Sequence, residues 1–156
     1  MSERNVVQQA FDRFGREARF EKKSGFWYRH SEEVIAVSNL QKSQYGPNYY
    51  FNQGFWLRQL GDERYPKVNQ CHVQARLEDL LPESERRIGD LLNLEYEMAD
   101  EERIDELLAL LNGELLPLIE QASSVAGLQA LSEEGVLAGA GITGPAQPLL
   151  ASTGES

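Results

Sequence analysis

Two alternating segments, residues 34–43 and 49–57, constrain the fold of this chain most strongly. Both are rich in β-branched or aromatic residues, and alternation is the pattern by which a strand presents two different faces. Residues 45–48, Tyr-Gly-Pro-Asn, separate them and combine a residue that tolerates positive φ with one whose φ is fixed. The sequence therefore predicts two antiparallel strands that form a hairpin.

Two further strands and an opening helix are predicted around this hairpin. Residues 26–29, Phe-Trp-Tyr-Arg, are an aromatic run typical of a short strand. Residues 71–77 alternate, with Cys71 on the same face as Val73 and Leu77. Residues 3–17 space their apolar side chains as an amphipathic helix does. We therefore expect an antiparallel meander of about four strands, preceded by a helix.

The composition changes to helix formers beyond residue 80. Asp100 begins the best-defined helix, Pro117 should end or kink it, and Ser123 or Ser124 can cap a last short helix. The expected fold class is α+β, with the N-terminal and C-terminal helices packed on one face of the sheet.

The predicted organisation is one α+β domain over residues 1–135, followed by a tail over residues 136–156 that is rich in Gly, Ala, Pro and Ser. Such a composition is typical of a flexible segment, although the tail could also lie along the domain.

Charge is distributed unevenly along the chain, whose net charge is −10. Residues 1–76 hold 12 Lys and Arg against 8 Asp and Glu, a balance of +4, whereas residues 77–156 hold 3 against 17, a balance of −14. An acidic surface repels phosphates and attracts cationic partners. We therefore expect a basic protein as partner rather than nucleic acid or a membrane, and a monomer or small homo-oligomer.

The sequence lacks the patterns of several kinds of segment and site. No apolar run reaches the roughly 18 residues of a membrane span, and the N-terminus lacks the apolar region of a signal peptide, so we expect a cytoplasmic protein. Cys71 is the only cysteine, which excludes an internal disulfide and a zinc site built from thiolates. We predict no catalytic residues, no metal and no cofactor, and an enzyme is the less favoured class.

A polar set on the otherwise apolar strands is one candidate site. Asn39, Gln41, Asn52 and Arg76 would converge on one sheet face if the strands pair as predicted, with Arg76 binding an anion. The alternative is that this face is only solvated, as one face of an antiparallel sheet often is.

The predicted helix that begins at Asp100 is the other candidate site. Its first turn and exposed side carry Glu101, Glu102, Asp105 and Glu106, which we expect to contact a basic partner. The alternative is a solvated helix face that keeps the protein soluble.

Several motifs together resemble a known bacterial family. They are Phe-Trp-Tyr-Arg at 26–29, Gln-Lys-Ser-Gln-Tyr-Gly at 41–46, Tyr-Tyr-Phe-Asn-Gln-Gly at 49–54, Cys-His-Val-Gln-Ala-Arg-Leu at 71–77 and Leu-Leu-Pro-Leu-Ile at 115–119. This combination resembles the domain-of-unknown-function family number 4304 over about residues 5–132. The resemblance implies a small α+β bacterial protein, and it transfers no catalytic residue.

Two functions are consistent with these observations. The first is a non-enzymatic protein-binding module, in particular an immunity protein that sequesters a cognate toxin through its acidic surface, by analogy with small immunity proteins. The alternative is a domain that binds a small molecule or peptide, or an unassigned enzyme, using the polar sheet face. A third possibility is a subunit that a tail tethers to a larger assembly.

Overall fold

The structure, a computed structural model, describes residues 5–151. Its first element is helix α1 (Val6–Glu17), which ends where the sequence predicts and begins later than the predicted residue 3, because Asn5 is the extended capping residue. Asn5 caps it: the Asn5 side-chain oxygen accepts a hydrogen bond from Gln8 N at 2.9 Å, and the Gln8 side chain accepts one from Asn5 N at 3.1 Å. This reciprocal pair satisfies backbone donors that the first helical turn leaves unpaired.

The sheet is antiparallel and its six strands follow chain order, so the predicted meander is confirmed. The strands are β1 (Glu21–Lys23), β2 (Phe26–His30), β3 (Val34–Lys42), β4 (Tyr49–Leu57), β5 (Val73–Arg76) and β6 (Gly141–Ile142). The expected count of about four strands was too low because both edge strands were missed. β1 consists of three exposed charged residues and β6 of two residues, too short for alternation to reveal.

The predicted hairpin is confirmed, and its register runs from Val34 opposite Leu57 to Lys42 opposite Tyr49. The strand predicted over residues 71–77 is shorter than expected, since β5 begins at Val73. Cys71 therefore lies in the smaller apolar cluster on the opposite face from Val73, where it packs against Gly54.

The helices after β5 are mostly short. They are α2 (Leu77–Leu80), α3 (Glu85–Leu92), α4 (Asp100–Leu110), α5 (Leu116–Gln121), α6 (Val125–Glu133) and α7 (Gln147–Leu150). A π-helical turn over Leu111–Leu115 joins α4 to α5, and Pro117 is the second residue of α5. Since proline lacks an N–H and crowds the preceding turn, the wider turn lets the chain stay helical. Ser124 caps α6, accepting a hydrogen bond from Gly127 N at 3.0 Å.

The main core lies between these helices and one face of the sheet, which we call the inner face. Phe51 on β4 stacks on Phe11 of α1, with ring centroids 4.6 Å apart. Leu107, Leu111 and Leu115 from the α4 region are completely buried in the same cluster. Removing this apolar surface from water supplies most of the driving force for the fold.

The outer face of the sheet is covered only in part. Ile35 and Val37 pack there with Val68 and Cys71, which belong to the connection between β4 and β5. This connection covers the start of β3 and leaves the polar end of the strand open. A groove lined by polar residues lies at that open end.

The described part of the C-terminal segment lies along the domain. Within residues 136–151, β6 pairs with β5, and Leu137, Ala146 and Leu150 are buried. Residues 152–156, the rest of the predicted tail, lie outside the described part. Over residues 5–151 no helix is long and apolar enough to cross a membrane.

One buried charged residue links two of the helices. Arg103 on α4 is 2% exposed, and its guanidinium donates hydrogen bonds to the carbonyl oxygens of Asp90, Leu91, Asn93 and Tyr96. These oxygens lie in the last turns of α3 and in the following loop, where a helix leaves acceptors unpaired. Arg103 therefore joins α4 to the end of α3.

Candidate functional site

Three of the predicted sheet-face residues form a row across the outer face. Asn39 on β3 lies opposite Asn52 on β4, and Asn52 lies opposite Arg76 on β5. Opposed residues point to the same side of a sheet, and each step to the next strand is about 5 Å. Gln41 lies beside the row, where its side-chain oxygen accepts a hydrogen bond from Asn52 Nδ2 at 3.1 Å. The structure thus brings all four residues together.

This row forms the floor of an open groove of about 810 Å³. The connection before β5 and the helices after it provide its walls. The residues that line it, besides the four, are Phe26, Lys67, Val68, Asn69, Gln74, Ala75, Glu78, Asp79 and Glu85. The volume lies within the range of sites that hold small molecules.

Arg76 is the main cation of the groove. Its guanidinium carbon lies 4.0 Å from the centroid of the Tyr50 ring, the geometry of a cation–π contact. The backbone N–H of Arg76 donates a hydrogen bond to Asp79 Oδ2 at 2.9 Å. This bond caps the start of α2 and does not involve the Arg76 guanidinium. Among the described residues, no carboxylate forms an ion pair with the Arg76 guanidinium. Its hydrogen-bond donors are therefore available to an anion.

Two acceptor atoms of the groove are buried without a partner. Asn39 Oδ1 and Glu78 Oε1 are shielded from solvent, and no described residue donates a hydrogen bond to either. A buried acceptor left unpaired costs about 1–3 kcal/mol, so donor groups on a ligand would recover this energy.

The acidic residues of α4 form a separate candidate surface. Glu101, Glu102 and Asp105 are exposed. Glu106 is half-buried, and its Oε1 lies 3.6 Å from Arg87 Nε in an ion pair. α4 packs mainly against α1 in the core on the inner side of the sheet, whereas the groove lies on the outer face.

The chain's one thiol and its buried imidazole are in settings that do not favour catalysis. Burial raises the pKa of Cys71 to about 12, so the thiol stays protonated at neutral pH. His72 Nδ1 accepts a hydrogen bond from Leu57 N at 2.9 Å, and burial lowers the pKa of His72, which keeps the ring neutral. No three His, Cys, Asp or Glu side chains within residues 5–151 are grouped as ligands of a metal ion.

Comparison with known protein families identifies the domain. A family model described as Domain of unknown function (DUF4304) matches residues 16–121, more than half of the chain. The chain belongs to the DUF4304 family. The match confirms the resemblance drawn from the sequence motifs. The matched residues include both the groove and the acidic residues of α4. No curated protein and no solved structure matches the chain.

Sequence reasoning missed Glu78 and the other residues that form the walls of the groove. The alternation of residues 71–77 did not show where the chain changes from strand to helix. A usable indication was Asp79, three residues after Arg76, since an acidic residue at the third helical position commonly accepts from the capping residue. That pattern places Glu78 in the first turn of α2, beside the row.

Proposed function

We propose that this DUF4304 protein is a non-enzymatic binding module that holds a small molecule or a short peptide in the groove on the outer sheet face. The observation that carries the proposal is an unpaired guanidinium together with two buried, unpartnered acceptors along one groove. Polar groups with unmet hydrogen bonds, held on the sheet and on helix α2, recognise a ligand without having to be reordered.

A thermal-shift screen tests this proposal. A ligand that binds only the folded protein raises the melting temperature, and 100-fold excess over Kd adds about 2.7 kcal/mol of stability. We expect a compound that stabilises the wild type and has a much smaller effect on Arg76→Gln. This variant keeps the backbone hydrogen bond to Asp79, so it should fold.

Arg64→Gln is the matched control, because Arg64 is exposed and lies outside the groove. A hit that stabilises the wild type and both variants equally would place binding elsewhere. A broad screen without any hit that depends on Arg76 would count against the proposal.

The acidic helix supports a second candidate function. We propose as this alternative that the protein is an immunity protein of the bacterial cytoplasm, which sequesters a basic toxin domain through Glu101, Glu102 and Asp105, with Glu106 at the margin. The supporting observation is that the first three carboxylates are exposed and form no ion pair with any described residue. Exposed charges of this kind accelerate association with a cationic partner.

Charge reversal tests this alternative. A candidate basic protein that is toxic when expressed alone should be neutralised by co-expressed wild type and much less by Glu101→Lys/Glu102→Lys/Asp105→Lys. Glu133→Lys/Glu134→Lys, two exposed residues at the end of α6, is the matched control. Equal protection by both variants would remove α4 from the contact surface.

A further inference from the structure

The groove carries both signs of charge on its lining. Lys67 and Arg76 provide two cations, while Glu78, Asp79 and Glu85 provide three carboxylates. A purely anionic ligand would be attracted by the two cations and repelled by the three carboxylates. A purely cationic ligand would be attracted by the carboxylates and repelled by the cations. The lining therefore favours a ligand that itself carries both signs.

The unsatisfied groups have opposite requirements. Arg76 offers donors in a planar fork that matches a carboxylate. Asn39 Oδ1 and Glu78 Oε1 accept only, and thus require N–H groups. Asp79 is less available, since one of its oxygens already accepts from Arg76 N.

The spacing of the row sets the length of the ligand. Asn39 and Arg76 are separated by one strand, β4, which places their backbones about 10 Å apart. An extended peptide advances about 3.3 Å per residue, so roughly three residues span this distance.

From these three features we propose that the groove binds a short peptide with a free carboxyl terminus on Arg76 and N–H or ammonium groups on Asn39 and Glu78. The inference rests on the proposed function and narrows it to one ligand class. It follows from the mixed charge, the unpaired donors and acceptors, and the width of the row.

The test uses the intact chain, labelled with ¹⁵N, and tri-alanine in three forms: both termini free, N-acetylated, and C-amidated. The side-chain amide signals of Asn39, Gln41 and Asn52 report on the groove directly. We expect saturable shifts of these signals with the free peptide, and about tenfold weaker binding after either terminus is blocked, the loss typical of one charge-assisted hydrogen bond.

Paired variants assign each terminus to its residue. C-amidation should weaken binding to the wild type and have no further effect on Arg76→Gln, while N-acetylation should have no further effect on Asn39→Ala, which removes the acceptor at the far end of the row. Arg64→Gln should behave as the wild type.

Inorganic phosphate and 1,4-diaminobutane serve as probes of a single charge sign. If either shifts the groove amides while tri-alanine does not, the peptide inference is wrong and a binding groove remains. Equal affinity of all three peptides would also overturn the inference. If no probe shifts the groove amide signals, the inference is overturned as well. The thermal-shift screen then tests the proposed function independently.

Discussion

Replacing Arg103 with Met should destabilise this domain more than any exposed substitution. The guanidinium donates to four carbonyl oxygens, and the bond to Leu91 O, 2.7 Å long, is completely buried. Met retains most of the aliphatic volume, so the expected loss comes from unpaired carbonyls and not from a cavity. Leu91 O and Tyr96 O would be left without a donor, and each buried, unpaired acceptor costs about 1–3 kcal/mol, so the loss is a large part of the roughly 5–15 kcal/mol that stabilise a domain.

Urea denaturation followed by circular dichroism measures this loss. With a slope of about 2 kcal/mol/M, Arg103→Met should lower the midpoint by roughly 2 M without changing the slope. Arg103→Lys keeps the charge and loses the fork that reaches several carbonyls, so its loss should be smaller. Arg87→Ala removes only exposed ion pairs and should cost less than about 1 kcal/mol. A loss below about 1 kcal/mol for Arg103→Met would refute the reasoning.

Further predictions concern four single positions. A Cβ at Gly15 would lie 2.6 Å from the Trp27 ring, so Gly15→Ala should cost about 1–2 kcal/mol in urea denaturation, whereas Gly89→Ala, with nothing within 4 Å, should gain about 0.5–1 kcal/mol. Burial lowers the pKa of His72 in the folded state below the ordinary histidine value of 6.5, so the free energy of unfolding should be highest above pH 6.5 and should decrease as pH falls from there to the folded pKa. A His72→Gln variant with the same pH dependence of melting temperature would contradict this. Because the pKa of buried Cys71 is about 12, a thiol reagent at pH 8 should label it only at the rate of unfolding, and rapid labelling of the native protein would show that the thiol is accessible.

The strands of the hairpin could be predicted because alternation and turn chemistry agree over residues 34–57. The strand pair β4 and β5 was harder, since residues 58–72 separate them without a hairpin turn. Its register places Asn52 opposite Arg76, a long-range relation that local patterns do not contain. The row was therefore a conditional prediction, dependent on how two distant strands pair.

Arg103 illustrates what a search for apolar spacing overlooks. It lies four residues before Leu107, on the same side of α4, and is as buried as the leucines around it. A charged residue in a helical pattern is ordinarily assigned to the solvated face. Only the cluster of carbonyl oxygens at the end of α3 and in the following loop, which tertiary packing brings close, makes burial of this charge favourable.

The position of the groove has a counterpart in the sequence of β3 itself. Along the outer face of this strand, completely buried Ile35 and Val37 give way to Asn39 and Gln41. A face that was solvated throughout would have no need of Ile35 and Val37, and a face covered throughout would leave two amides without water. The change within one strand marks the place where the covering connection ends. Because Asn39 lies in one row with Asn52 and Arg76, the groove begins at the position of β3 where the apolar cover ends.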